Sequence, residues 1–326
     1  MKRAAILTLL IGTALIAAAI WAVDPRAVAA AVAQAGWAIL LVIGVRAVAV
    51  TLAGLCWWLL IPADAAPRPH VCAMLRLVRE GANTLLPLTQ VGGDVIAVRL
   101  LTFWGMAGSL AAATILVDVL LQAGTQFFFA LTGLALLGMR GGSDAFVRDS
   151  AIALGIAGLG LLGFYIVQRR WGEKLFTSVL QRIAGGREWT VHGTVEMLFA
   201  NLHKVYDRRG PLAGSFFGHL VVWFIGAMEV WIALNAMGYA IPYTAALSIE
   251  GLAQAARGAA FAVPGAVGVQ EGGLILLCGF FGIPPQSALA LSLIKRAADV
   301  GVGGPGLLIW QALETSRLAR KAAAKN

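Results

Sequence analysis

The chain has 326 residues, of which 60% are hydrophobic and 13% charged, with a formal net charge of +9. Its mean hydropathy of +0.83 is more apolar than a water-soluble globule uses, which excludes a soluble enzyme or a nucleic-acid-binding domain. Cys56, Cys72 and Cys278 show neither a disulfide-framework nor a metal-ligand spacing and read as packing residues.

In chain order, residues 4–23 form the first apolar run, long enough to cross a hydrocarbon core of about 30 Å. With Lys2 and Arg3 ahead of it, this run also fits a cleavable signal peptide ending near Ala19, but it is longer than a typical signal core and reads better as a span. Further spans are expected at about 37–61, 109–138, 150–168, 211–237 and 286–312. Two more apolar segments, 70–105 and 245–282, are broken near their middles by Pro87 and Pro264, with glycines alongside. Each predicts a re-entrant hairpin that enters and leaves on one side. Residues 169–209 are charged, with Leu175, Phe176, Val179, Leu180 and Ile183 at helical spacing, and predict an amphipathic cytoplasmic connector on anionic inner-leaflet lipids. A docking surface for partner proteins is the alternative there. His192 and His203 within it lack companion ligands, so no metal site is expected.

The distribution of basic residues orients these elements. Of 25 Lys and Arg, 17 fall at the termini and in loops of one parity and 3 (Arg26, Arg140, Arg148) in loops of the other, which places both termini in the cytoplasm of a bacterial-type inner membrane. The remaining five (Arg46, Arg99, Arg257, Lys295, Arg296) lie inside apolar sequence.

The two broken segments match at an offset of 177 residues: Gly81 with Gly258, Pro87 with Pro264, Asp94 with Glu271, Phe103 with Phe280 and Gly105 with Gly282. Three spans separate them, so the hairpins enter from opposite sides. The expected fold class is therefore an all-α polytopic membrane protein with about six transmembrane helices and two re-entrant hairpins. It forms an inverted-topology repeat, 1–140 and 141–316, within one transmembrane domain.

Proline and glycine free backbone groups that survive at membrane depth only beside protein or a wet cavity, so the breaks at Gly81, Pro87, Gly92, Gly93, Gly258, Pro264, Gly272 and Gly273 mark a cavity. Helix halves starting after the prolines would aim positive ends at an anionic headgroup. Ionisable residues cost about 2.5–3.5 kcal/mol each at the bilayer centre and are functional candidates by default. Asp94 and Glu271 are assigned to the substrate or ion path and expected to meet near the midplane and share a proton, with Gln90 and Gln270 as polar lining. Arg99 and Arg257 are assigned to an anionic headgroup, and Lys295 and Arg296 to the same path, with Arg296 able to pair with Asp299 on one helix face. Arg46, Asp118 and Glu229 read as internal salt-bridge residues. The Gly301–Gly306 run lacks the lysine of a phosphate-binding loop, and no hydrolase, metalloprotease or redox motif is present. No enzyme activity and no cofactor are expected.

The stretches 83–102 (NTLLPLTQVGGDVIAVRLLT), 118–134, 264–284 and 290–311 resemble the hopanoid-biosynthesis-associated membrane protein family HpnL, itself similar to the transmembrane flippase region of lysylphosphatidylglycerol synthases. The resemblance implies a flippase-like translocator of a hopanoid-related or anionic envelope lipid. It maps family motif positions onto Gln90, Gly92, Gly93, Asp94, Gln270, Glu271, Gly272, Gly273, Lys295 and Arg296. A second basic residue after the Lys295–Arg296 pair is replaced here by Ala297 and Ala298. No soluble aminoacyl-transfer domain is expected after the last span. The alternative is a non-transporting accessory protein that scaffolds lipid biosynthesis enzymes through the basic segment.

Overall fold

The structure, a computed structural model, describes residues 21, 24–86, 91–171, 188–260, 263 and 266–323. The first expected span and the 172–187 part of the basic segment lie outside the described residues, as do Pro87, Gln90 and Pro264. Among the described residues there are eleven α-helices and no strand. They are α1 (Pro25–Ala35), α2 (Ala38–Leu60), α3 (Pro69–Leu85), α4 (Gly92–Leu101), α5 (Gly108–Met139), α6 (Asp144–Ile166), α7 (Glu188–Tyr206), α8 (Arg209–Ala236), α9 (Tyr243–Ala259), α10 (Val269–Gly279) and α11 (Pro285–Ala323).

Among the described residues four helices are long and apolar enough to cross a membrane: α2, α5, α6 continued to Arg169, and α8. They coincide with four of the expected spans. The fifth, 286–312, lies within the 39-residue α11, whose apolar stretch carries Lys295, Arg296 and Asp299. Proline opens α1, α3 and α11, where its missing amide would have had no helical partner. Helix α1 was not expected from the sequence. It is short and alanine-rich, and it buries Val28, Ala31 and Ala35 in the core shared with α8 and α11.

The bundle is held by close pairs. Helix α2 packs along α8, α3 along α11, and α5 along α9. The α3–α11 contact is backbone to backbone: a methyl group added at Gly81 would strike the carbonyl of Gly303, and one at Gly306 would strike that of Leu77. Helix α6 contributes one buried residue, Leu154, and packs mainly on α5, with Tyr165 also meeting Tyr206 of α7 edge to face. Helix α7, part of the expected connector, docks on α5 and buries Val195, Phe199, Leu202 and Val205.

Helices six places apart have equivalent neighbours. The α3–α4 pair matches α9–α10, α4 on α5 matches α10 on α11, and α2 on α3 matches α8 on α9. The starts of α4 and α10, and of α5 and α11, are 177 residues apart. Gly105 and Gly282, also 177 apart, both turn through left-handed backbone at φ +82° and +69°.

The outer ends of the two helical pairs lie in different surroundings. Near the start of α3 and the end of α4, Trp58 donates to the Pro67 carbonyl, Arg208 donates to the Leu60 carbonyl, Arg99 pairs with Glu314, and Arg317 lies 3.9 Å above the Phe103 ring. Near the start of α9 and the end of α10, Arg140, Gly141, Gly142, Ile241, Pro242 and Phe281 line a shallow recess.

Candidate functional site

The two helix breaks differ in how they are closed. Gly93 donates its amide to Asn83 Oδ1 at 2.7 Å, and a side chain at Gly93 would run into the Arg79 carbonyl, so only glycine brings α4 this close to α3. At the second break, Gly268 turns at φ +86° and donates its amide to Glu271 Oε2 at 2.7 Å. These helix starts are capped from inside the protein.

The close approach of α4 to α3 puts Asp94 in the first turn of α4 against Arg79, with Nη2 to Oδ1 at 2.6 Å. Arg79 is 2% exposed and also donates to Asp118 Oδ2 on α5 at 2.7 Å. Asp118 accepts further from Gln122 at 2.7 Å and from His219 Nε2 on α8 at 2.9 Å. A carboxylate with no exposure and three donors is the anchor at which α3, α5 and α8 meet.

A second cluster joins α2, α8, α9 and α11. Arg46 forms a two-pronged bond with Glu229, both contacts at 2.7 Å, and reaches Asp299 at 2.5 Å. Lys295, 1% exposed, sits between Glu250 at 2.8 Å and Glu229 at 3.4 Å. Glu80 on α3 bridges the clusters at longer range, 3.9 Å from Arg46 and 3.9 Å from Arg76. Around the second break, Glu271 Oε1 accepts from Ser292 at 2.7 Å and Arg296 at 2.9 Å. Gln270 donates to Ser292 and accepts from Arg257, at 2.8 and 2.9 Å. Burying so many charges costs several kcal/mol per ion, a cost only mutual pairing of this quality offsets.

The expected site residues are thus distributed over three linked groups. Asp94 and Glu271 do not form a carboxylate pair: each is bound to its own arginine, Arg79 and Arg296, which removes the like-charge repulsion behind the expected shared proton. Arg296 turns to Glu271 and Asp299 to Arg46, so the two do not pair with each other along α11. Arg99, at the far end of α4 from its break, has a side chain 65% exposed and clasps both oxygens of Glu314 at 2.8 and 2.9 Å. That hydrogen bond holds the Glu314 carboxyl below its ordinary range. Gly81 touches Gly303 and Gly258 touches Gln126, whereas Gly272 and Gly273 have open space where a side chain would go. Among the described residues no cluster of His, Cys, Asp and Glu is fit to hold a metal.

Four network residues were missed from sequence: Arg76, Arg79, Glu80 and His219. Arg76 and Arg79 are among the 17 basic residues that the sidedness count assigns to the termini and loops, although they fall inside the apolar 70–105 segment. Applying that segment's own boundary would have placed them at depth.

The family model of the lysylphosphatidylglycerol synthase TM region matches residues 5–304. The chain belongs to this family. The matched stretch contains both helix breaks and every ion of the buried network. No curated protein and no solved structure matches the chain. Membership in a lysylphosphatidylglycerol synthase TM-region family, together with four apolar membrane-length helices, makes this a multi-pass membrane protein with a lipid-related function.

Proposed function

We propose that the protein is a flippase-like transporter that moves a hopanoid-related or other charged envelope lipid between leaflets of the bacterial inner membrane, with no enzymatic step of its own. In this reading α3–α4 and α9–α10 are re-entrant hairpins of an inverted-topology repeat. Both termini are cytoplasmic, and the two halves rock around the hairpins. The observation that carries the reading is the buried network itself. Ions concentrated at the inner ends of two broken helical pairs are costly in hydrocarbon and typical of substrate or ion paths. Asp94, Gln270, Glu271, Arg257, Lys295 and Arg296 line that path.

The test is lipid movement in vesicles containing Asp94→Asn, Glu271→Gln or both. Each variant keeps side-chain size and removes one charge from an arginine pair. Movement should fall at least about tenfold, the effect of losing one charge-assisted hydrogen bond, while the purified protein elutes like the parent. A double variant that transports at the parental rate would make both carboxylates structural. A protein that binds lipid biosynthesis enzymes through its basic segment and moves no lipid would be the accessory scaffold instead.

A further inference from the structure

Nearly every ion of the buried network has an oppositely charged partner at hydrogen-bond distance. Two neighbours on α3, one helical turn apart, do not. Arg76 donates Nη2 to Gln122 Oε1 at 2.7 Å, but its nearest carboxylates are Asp118 at 3.8 Å and Glu80 at 3.9 Å, and its Nε is buried with no acceptor among the described residues. The carboxylate of Glu80 accepts no hydrogen bond among the described residues and lies 3.9 Å from Arg46 and from Arg76. The cause is competition. Asp118 is already filled by Arg79, Gln122 and His219, and Arg46 by Glu229 and Asp299. An arginine and a glutamate are therefore left side by side, each with unused capacity, about 11 to 16 Å along α3 from its start. They are also more open than the ions they neighbour: the side chains of Arg76 and Glu80 are 14% and 19% exposed, against 9% for Arg46 and 0–2% for Asp118 and Arg79.

We propose that Arg76 and Glu80 form the headgroup site of the transported lipid and that its ligand is a zwitterion: a phosphodiester bound by the Arg76 fork, bearing a primary ammonium bound by Glu80. The inference rests on the lipid-transport reading and narrows it. A simple anion at Arg76 would meet the Glu80 charge, and a simple cation at Glu80 would meet Arg46 and Arg76. A headgroup with both charges satisfies both residues at once. Guanidinium suits the phosphate because its planar fork binds two oxygens together.

The test uses purified full-length protein and three lipids with identical acyl chains, with retained lipid counted by native mass spectrometry. They are phosphatidylethanolamine, its N-acetyl derivative, which keeps the phosphate and loses the ammonium, and phosphatidylglycerol. Phosphatidylethanolamine should bind about tenfold more tightly than the other two, the factor expected for one charge-assisted contact. Glu80→Gln should abolish the preference by weakening phosphatidylethanolamine alone. Arg76→Gln should weaken all three, as should Arg76→Lys, which keeps the charge without the fork and serves if the glutamine variant does not purify. Equal affinity of the parent for the three lipids, or an intact preference in Glu80→Gln, overturns the site. A parent with the preference that moves no lipid in vesicles keeps the site and removes the transport reading. A parent that moves all three lipids and binds them equally does the reverse.

Discussion

Lys295 shows what a single buried charge does in this protein. Its ammonium has almost no contact with solvent and is held between Glu250 and Glu229. Replacing it with methionine keeps the stem and leaves two carboxylates facing each other without their shared cation. Lys295→Met should cost about 3–5 kcal/mol in unfolding measured in detergent, and a second change, Glu250→Gln, should restore part of that loss by removing the stranded charge. A Lys295→Met protein as stable as the parent would show that Arg46 alone compensates the pair and that the lysine adds nothing to stability. The sequence marks Lys295 and Glu229 as ionisable residues at depth, because charge inside apolar sequence is visible without a structure. It did not reveal who pairs with whom. Partners 45 to 253 residues apart depend on helix packing, and the short-range pairing of Arg296 with Asp299 gave way to better-placed partners on other helices.

At the scale of elements, the breaks in the two helical pairs were legible because proline and glycine interrupt apolar runs in a way no continuous span tolerates. The shared 177-residue register was legible as well, and it reappears in the starts of α4 and α10 and of α5 and α11. Helix α1 and the docking of α7 were not, since short alanine-rich or mixed helices owe their place to tertiary contacts. Glycines that looked alike in sequence separate in the structure. Gly81→Ala brings a methyl group against the Gly303 carbonyl where α3 and α11 touch, and should cost about 1–3 kcal/mol, whereas Gly272→Ala, with open space around it, should be neutral or slightly stabilising. Thermal unfolding of the two variants in the same detergent separates them. Equal loss in both would mean that the α3–α11 contact is looser than the packing indicates.

For the whole molecule, the proposal of two halves facing opposite ways draws on the sidedness of basic residues and on the equivalent neighbourhoods of helices six places apart. Moving Arg76 and Arg79 from loop to interior reduces the basic count on the richer side from 17 to 15, against 3 on the other, so the orientation argument is unchanged. Single cysteines at position 68, before α3, and at position 240, before α9, should therefore label from opposite faces of sealed cells, with 68 cytoplasmic. Labelling of both from one face would end the inverted arrangement.

A flippase-like transporter must carry lipid across the bilayer. Purified protein placed in vesicles with a trace of phosphatidylethanolamine labelled on an acyl chain, which leaves the headgroup ammonium free, and quenched from outside by a membrane-impermeant reductant, reports this directly. Vesicles without protein lose about half of the signal, the outer leaflet's share. Vesicles with parental protein should lose nearly all of it, at a rate that rises with protein content. Loss confined to half the signal at every protein content, with the protein folded and inserted, would contradict lipid translocation as the function of this fold.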